Sequence, residues 1–169
     1  MSAKDELLSI AEIAVALIGF SGLIFVVRAR DVTELETRDL SALAMIVSAG
    51  SIALAFSLLP LPLSHVGLSE PVFWRISSLL FGVTMVAAAG VFHFVNRRLV
   101  KSGHPERTPR LNRTALISAF LMGMLLALSA SGAVPPGPAL YLLGLVVCLL
   151  LCLAFVGFIL VVARRSSAR

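Results

Sequence analysis

Charge is what this sequence lacks. Asp, Glu, Lys and Arg make up 14% of its 169 residues, against about 25% in soluble domains. So few charges cannot furnish the hydrated surface of a water-soluble globule. Two cysteines are too few for a disulfide scaffold, and the apolar excess excludes a disordered chain. The net charge of +5 raises the question of nucleic acid. The basic segment from Asn96 to Arg113 has no aromatic residue on which a base could stack, so no nucleic-acid partner is expected. Catalytic signatures are missing as well: there is no P-loop, dinucleotide fingerprint, HExxH or GxSxG. Gly19-Phe-Ser-Gly22 lies in an apolar run without the strand-turn-helix setting that exposes a nucleophilic serine. The chain is not expected to be an enzyme, and no metal site is expected.

What the chain does have is long hydrophobic runs: 59% of residues are hydrophobic and mean hydropathy is +1.00. A bilayer core of ~30 Å takes ~20 apolar residues of helix. Five runs meet that length, at about 7–27, 40–59, 74–95, 114–133 and 139–163. Lipid cannot satisfy an open strand edge, and no alternating barrel pattern occurs, so the spans are read as helices. Proline punctuates them. Pro60 and Pro62 close the second helix, Glu70-Pro71 precedes the third, and Val134-Pro-Pro-Gly-Pro138 makes a tight turn before the fifth.

Basic residues set the expected orientation. Arg28, Arg30, Arg38, Arg97, Arg98, Lys101, Arg107, Arg110, Arg113, Arg164, Arg165 and Arg169 gather on one side of a five-span arrangement; only Lys4 and Arg75 fall on the other. The positive-inside rule then puts the N-terminus outside and the C-terminus in the cytoplasm. Asp5 and Glu6 after Lys4, with no small-residue cleavage site, argue for a retained first helix rather than a signal peptide. That helix, or a short separate one, is expected to continue past Val27 through Arg28-Ala-Arg30, with Glu34 and Arg38 one turn apart in the favoured order. The expected fold is an all-α integral membrane protein, a single domain over 1–169 with five transmembrane helices in a compact bundle. Arg97, Arg98, Lys101, Arg107, Arg110 and Arg113 would meet anionic headgroups on the cytoplasmic side.

Helical spacing isolates the unusual faces. In the first helix Ala11, Glu12, Val15, Ala16, Gly19 and Gly22 share one side. Small residues let backbones approach closely, so Ala16, Gly19 and Gly22 are expected to pack against another helix, within the protomer or between protomers. The other reading is a water-filled path with Glu12 at its outer mouth. A carboxylate at mid-bilayer costs roughly 2.5–3.5 kcal/mol, and Arg75, beside the interfacial anchor Trp74, is the expected partner of Glu12. In the third helix Arg75, Ser78, Gly82, Val86, Ala89, His93 and Asn96 form a polar and small stripe that should avoid lipid. His93 either hydrogen-bonds a neighbour or titrates as a relay. With Ala89 one turn away it could also ligate a macrocycle, haem or bacteriochlorophyll; otherwise no cofactor is expected. Small residues recur at Ala44, Ser48, Ser51 and Ala55 in the second helix. Cys148 and Cys152, one turn apart in the fifth, point poorly for a disulfide and read as apolar filler.

Ile13-Ala-Val-Ala-Leu-Ile-Gly-Phe-Ser-Gly-Leu-Ile24 with its Arg-x-Arg exit resembles the opening of small uncharacterised bacterial multi-pass membrane proteins. The resemblance covers about fifteen residues. It implies a bacterial inner-membrane location and no particular activity. The expected function is a non-catalytic assembly, accessory or scaffold subunit, a homo-oligomer or part of a membrane complex, acting through helix packing. The alternatives are an oligomeric channel or small-solute transporter with Glu12 outside and His93 inside, and a pigment- or haem-binding subunit using His93.

Overall fold

A computed structural model describes residues 3–31, 37–102, 109–133, 135 and 137–166, and among these there are helices and no strand. Side chains are described for 4–24, 26, 43–65, 67–102, 111–133, 135 and 137–157. The long helices are α1 (Ala3–Asp31), α2 (Thr37–Leu58), α4 (Glu70–Lys101), α5 (Pro109–Ser131) and α6 (Pro138–Ser166); a short α3 (Pro60–Leu63) and a 3-10 turn (Ser64–Val66) link α2 to α4. Among the described residues five helices are long and apolar enough to cross a membrane, matching the five runs read from the sequence. The helices overrun those apolar cores, because a helix continues as long as its backbone bonds are satisfied. α1 runs on to Asp31, as expected of a first helix that outlasts its span. The expected Pro-rich turn before α6 includes Val134 and Pro136, which lie outside the described residues, as does Glu34.

Proline places two of the boundaries. Pro60 and Pro62 end α2 as expected, yet the chain does not become irregular there. Pro60 opens the one-turn α3, where its fixed φ suits a first helical position. Gly67, at φ 73°, then reverses the chain in the left-handed region that suits glycine. Glu70 and Pro71 do not precede the next helix; they are its first turn, where a carboxylate and a proline both suit the exposed N–H groups.

Two antiparallel hairpins, α1–α2 and α4–α5, are pinned together by α6, which packs chiefly on α2 and also on α5 and α1. The main core draws Leu7, Ile10 and Ala14 from α1, Ala53 from α2, Phe81 and Met85 from α4, and Leu126 from α5 around Tyr141, Leu145 and Cys148 of α6. A smaller cluster of Ile46, Ala115, Phe155 and Val156 closes the end nearer Lys101. At the opposite end sits an aromatic knot. Phe56 stacks on Phe81 at 4.8 Å, and Tyr141 stands 5.4 Å from Phe81 and 5.6 Å from Trp74. Trp74 is therefore not an anchor at the surface. It is 6% exposed, because Phe73 and Tyr141 enclose the indole.

Tyr141 also repairs what Pro60 breaks. Within a helix the Phe56 carbonyl would accept the N–H of residue 60, but proline has none. The Tyr141 hydroxyl donates to that carbonyl oxygen at 2.6 Å. A buried carbonyl left unfilled costs about 1–3 kcal/mol, so this bond fastens α6 to the end of α2. Cys148 and Cys152 are free and buried, and their thiols face the Ala49 and Ile46 carbonyls at 3.5 Å. They fill the α2–α6 seam as expected.

Candidate functional site

The two unusual faces meet different fates. On α4 the stripe is covered by α5. A Cβ built on Gly82 would lie 2.8 Å from the Gly123 carbonyl oxygen, and one on Gly123 would lie 2.8 Å from a Val86 methyl and 3.0 Å from the Gly82 oxygen. The backbones touch because neither position carries a side chain, the close approach that small residues permit. One and two turns nearer the helix start come Ser78, 1% exposed, and Arg75, which is exposed and whose Nη2 reaches the end of α5 beside Gly132. Toward the other end the cover thins: Val86, Ala89 and Asn96 are half-buried and His93 is exposed.

On α1 the packed side is Leu7, Ile10, Ala11, Ala14 and Ser21. Ser21 bonds back to the Leu17 carbonyl at 2.6 Å, and Ile18 fits against Gly50 of α2. At 100° per residue, the opposite side carries Asp5, Ser9, Glu12, Ala16, Gly19 and Leu23, all exposed. Gly22 is half-buried at the margin, and nothing approaches within 4 Å of a Cβ built on Gly19 or Gly22. No helix of the protomer covers this stripe among the described residues. Ala44, Ser48, Ser51 and Ala55 on α2 are likewise exposed, while Gly50, Ala53 and Ser57 turn inward.

The structure does not bring Glu12 and Arg75 together. They sit on different hairpins, and α1 and α4 share no extensive contact. Their levels differ too. Ile18 faces Gly50, so counting back along the antiparallel pair puts Glu12 near Phe56, which stacks on Phe81. Phe81 lies six residues beyond Arg75, or ~9 Å along the helix axis. The Arg75 guanidinium turns away from that level, toward Gly132.

The headgroup candidates gather where α4 ends and α5 begins. Arg97, Arg98 and Lys101 are exposed in the last turns of α4, and Arg113 is exposed on α5. Arg98 lies over the Phe94 ring at 4.3 Å, a cation–π contact. The side chains of Arg107 and Arg110 lie outside the described residues, as do those of Arg28, Arg30, Arg38, Arg164, Arg165 and Arg169.

Three buried hydroxyls escape the sequence reading as a group. Ser77, Ser78 and Ser129 are 0%, 1% and 1% exposed, and their Oγ atoms have no hydrogen-bond partner among the described residues. The Arg75–Ser78 part of the stripe is visible at helical spacing; Ser129, from another helix, is not. Comparison with known proteins adds no relative: no family model, curated protein or solved structure matches this chain.

Proposed function

We propose that the chain inserts into the bacterial inner membrane through its five long helices, N-terminus outside and C-terminus cytoplasmic. There it serves as a non-catalytic assembly or scaffold subunit that works by helix packing, with a second copy of itself as first partner. The observation that carries this reading is the open stripe of α1: Ser9, Glu12, Ala16 and Gly19 are exposed directly opposite the core-facing side. A carboxylate turned to acyl chains is costly, up to roughly 2.5–3.5 kcal/mol at mid-bilayer and less where snorkelling reaches the surface. Small residues beside it offer a partner backbone close approach. A two-fold pair of α1 helices presents the same patch from both copies, and Ser9 of each copy can then donate to Glu12 of the other. The basic ends of α4 and α5 supply the cytoplasmic headgroup contact, worth about 1 kcal/mol per residue near the surface.

The deciding measurement is the mass of the detergent-solubilised particle by native mass spectrometry or light scattering. The wild type is expected to be a dimer or larger, and Ala16→Leu/Gly19→Leu a folded monomer. A monomeric wild type, or association unchanged in that variant, overturns the reading. Single cysteines introduced at Ser2 and at Ser167, in a background with Cys148 and Cys152 replaced by alanine, test the orientation by labelling from either side of sealed vesicles.

A further inference from the structure

The serines of this chain have a habit. Ser57 donates to the Ala53 carbonyl at 2.6 Å, Ser118 to Thr114 at 2.7 Å and Ser131 to Leu128 at 2.8 Å. Bonding to the preceding turn is how a helical serine satisfies itself without a tertiary partner. Ser77, Ser78 and Ser129 break the habit while being more deeply buried than most. Leaving a buried hydroxyl unpaired is costly, and such groups call for an unseen water or ion.

Their placement supplies the sign of charge. Gly82 lies against Gly123 and Leu126, and Arg75 lies against Gly132. Between these two contacts on the antiparallel pair, Ser78 and Ser129 come opposite one another. Ser77 is the next residue on α4, one position round the helix. Arg75, exposed one turn nearer the start of α4 than Ser78, holds its Nη2 beside Gly132 and forms no ion pair with a carboxylate among the described residues. α4 and α6 both begin at this end of the bundle, so their positive dipole ends face it. The C-terminus of α5 opposes them with less than its full charge, because two of its last carbonyls accept bonds: Gly132 N–H bonds Ser129 O at 3.2 Å and Ala133 N–H bonds Leu128 O at 3.2 Å. This is the Schellman ending, with Gly132 at φ 87°.

Hydroxyl donors under a lone guanidinium, with two helix starts beside them, suit a small anion. We propose that the Ser77–Ser78–Ser129 level beneath Arg75 binds a monovalent anion of chloride size, held by the hydroxyls and charge-balanced by Arg75. The site is separate from the α1 stripe and does not depend on association.

The test uses purified full-length protein in detergent at constant ionic strength, with sodium gluconate exchanged stepwise for sodium chloride or bromide. The halides are expected to raise the unfolding midpoint saturably by a few degrees, and chloride NMR lines to broaden in excess of a protein-free control. Ser78→Ala/Ser129→Ala is expected to abolish both effects, and Arg75→Gln to weaken the halide dependence at least tenfold. Identical midpoints in all three salts with no excess broadening would mean the hydroxyls hold water only, and the proposal falls. It falls equally if the double variant keeps the full halide response. Should that variant fail to fold, the wild-type broadening and its loss in Arg75→Gln decide the matter.

Discussion

The small-residue faces of α1 and α4 look alike as sequence and differ completely as structure. Gly82 of α4 has the Gly123 backbone where a Cβ would go, whereas Gly19 of α1 has nothing within 4 Å. Both helices are apolar around most of their circumference, so neither face is marked by the usual contrast with a polar side. The difference lies in the partner. α5 brings Gly123 to the level of Gly82, and no helix of the protomer brings anything to Gly19 among the described residues. A seam of small residues therefore states that some backbone can come close; whether that backbone belongs to the same chain is decided elsewhere in the sequence.

The contrast can be broken most forcefully with a large side chain. Gly82→Leu is expected to wedge α4 from α5 and to cost at or beyond the upper end of the ~1–3 kcal/mol typical of overpacking. In detergent that dissociates the proposed dimer, Gly19→Leu should leave unfolding within about 0.5 kcal/mol of the wild-type monomer, as for a position that packs on nothing in its own protomer. Equal losses in thermal or denaturant unfolding would erase the distinction between the two faces. A single methyl gives a gentler version. Gly82→Ala, with its Cβ 2.8 Å from a backbone oxygen, should destabilise by about 1–2 kcal/mol. Gly19→Ala, in the same dissociating detergent, should be neutral or stabilising by up to about 1 kcal/mol, since alanine loses less freedom on entering a helix. Smallest of all is the coupling between the faces. Glu12→Gln and Arg75→Gln should add to within about 0.5 kcal/mol in the double variant, because the two residues sit at different levels on different hairpins. A larger interaction energy would restore a direct contact between them.

Much of the fold was legible because it follows from local chemistry. Five apolar runs became five long helices, and Pro60 marked the end of α2. The α4 stripe was readable as a face that meets another helix, and from Ser78 to Val86 it does. Three things were not readable. Which side of α1 turns inward was hidden because Ile13, Leu17, Phe20 and Ile24 are as apolar as the Leu7, Ile10 and Ala14 that pack. The Glu12–Arg75 pairing rested on a shared end of the bundle and ignored register, which the Ile18–Gly50 and Phe56–Phe81 contacts set. Trp74 and Tyr141 look like residues for a polar boundary, yet their rings complete the core. Their neighbours Phe56 and Phe81 arrive from distant parts of the chain.

One further experiment separates local from long-range order. Tyr141→Phe keeps the ring packing but strands the Phe56 carbonyl that Pro60 cannot serve, at an expected cost of about 1–3 kcal/mol. In a Pro60→Ala background the residue-60 N–H becomes available, and the same change should cost clearly less. Equal costs in both backgrounds would show that the hydroxyl has another role.

That bond has a consequence for biosynthesis. Donor and acceptor are 85 residues apart, so α2 leaves the ribosome with its Phe56 carbonyl lacking this donor until α6 is made. A nascent chain interrupted after α5 would hold both hairpins without the clasp between them. The arrival of α6 is thereby registered at the Phe56 carbonyl, whose protein donor exists only once Tyr141 has been made.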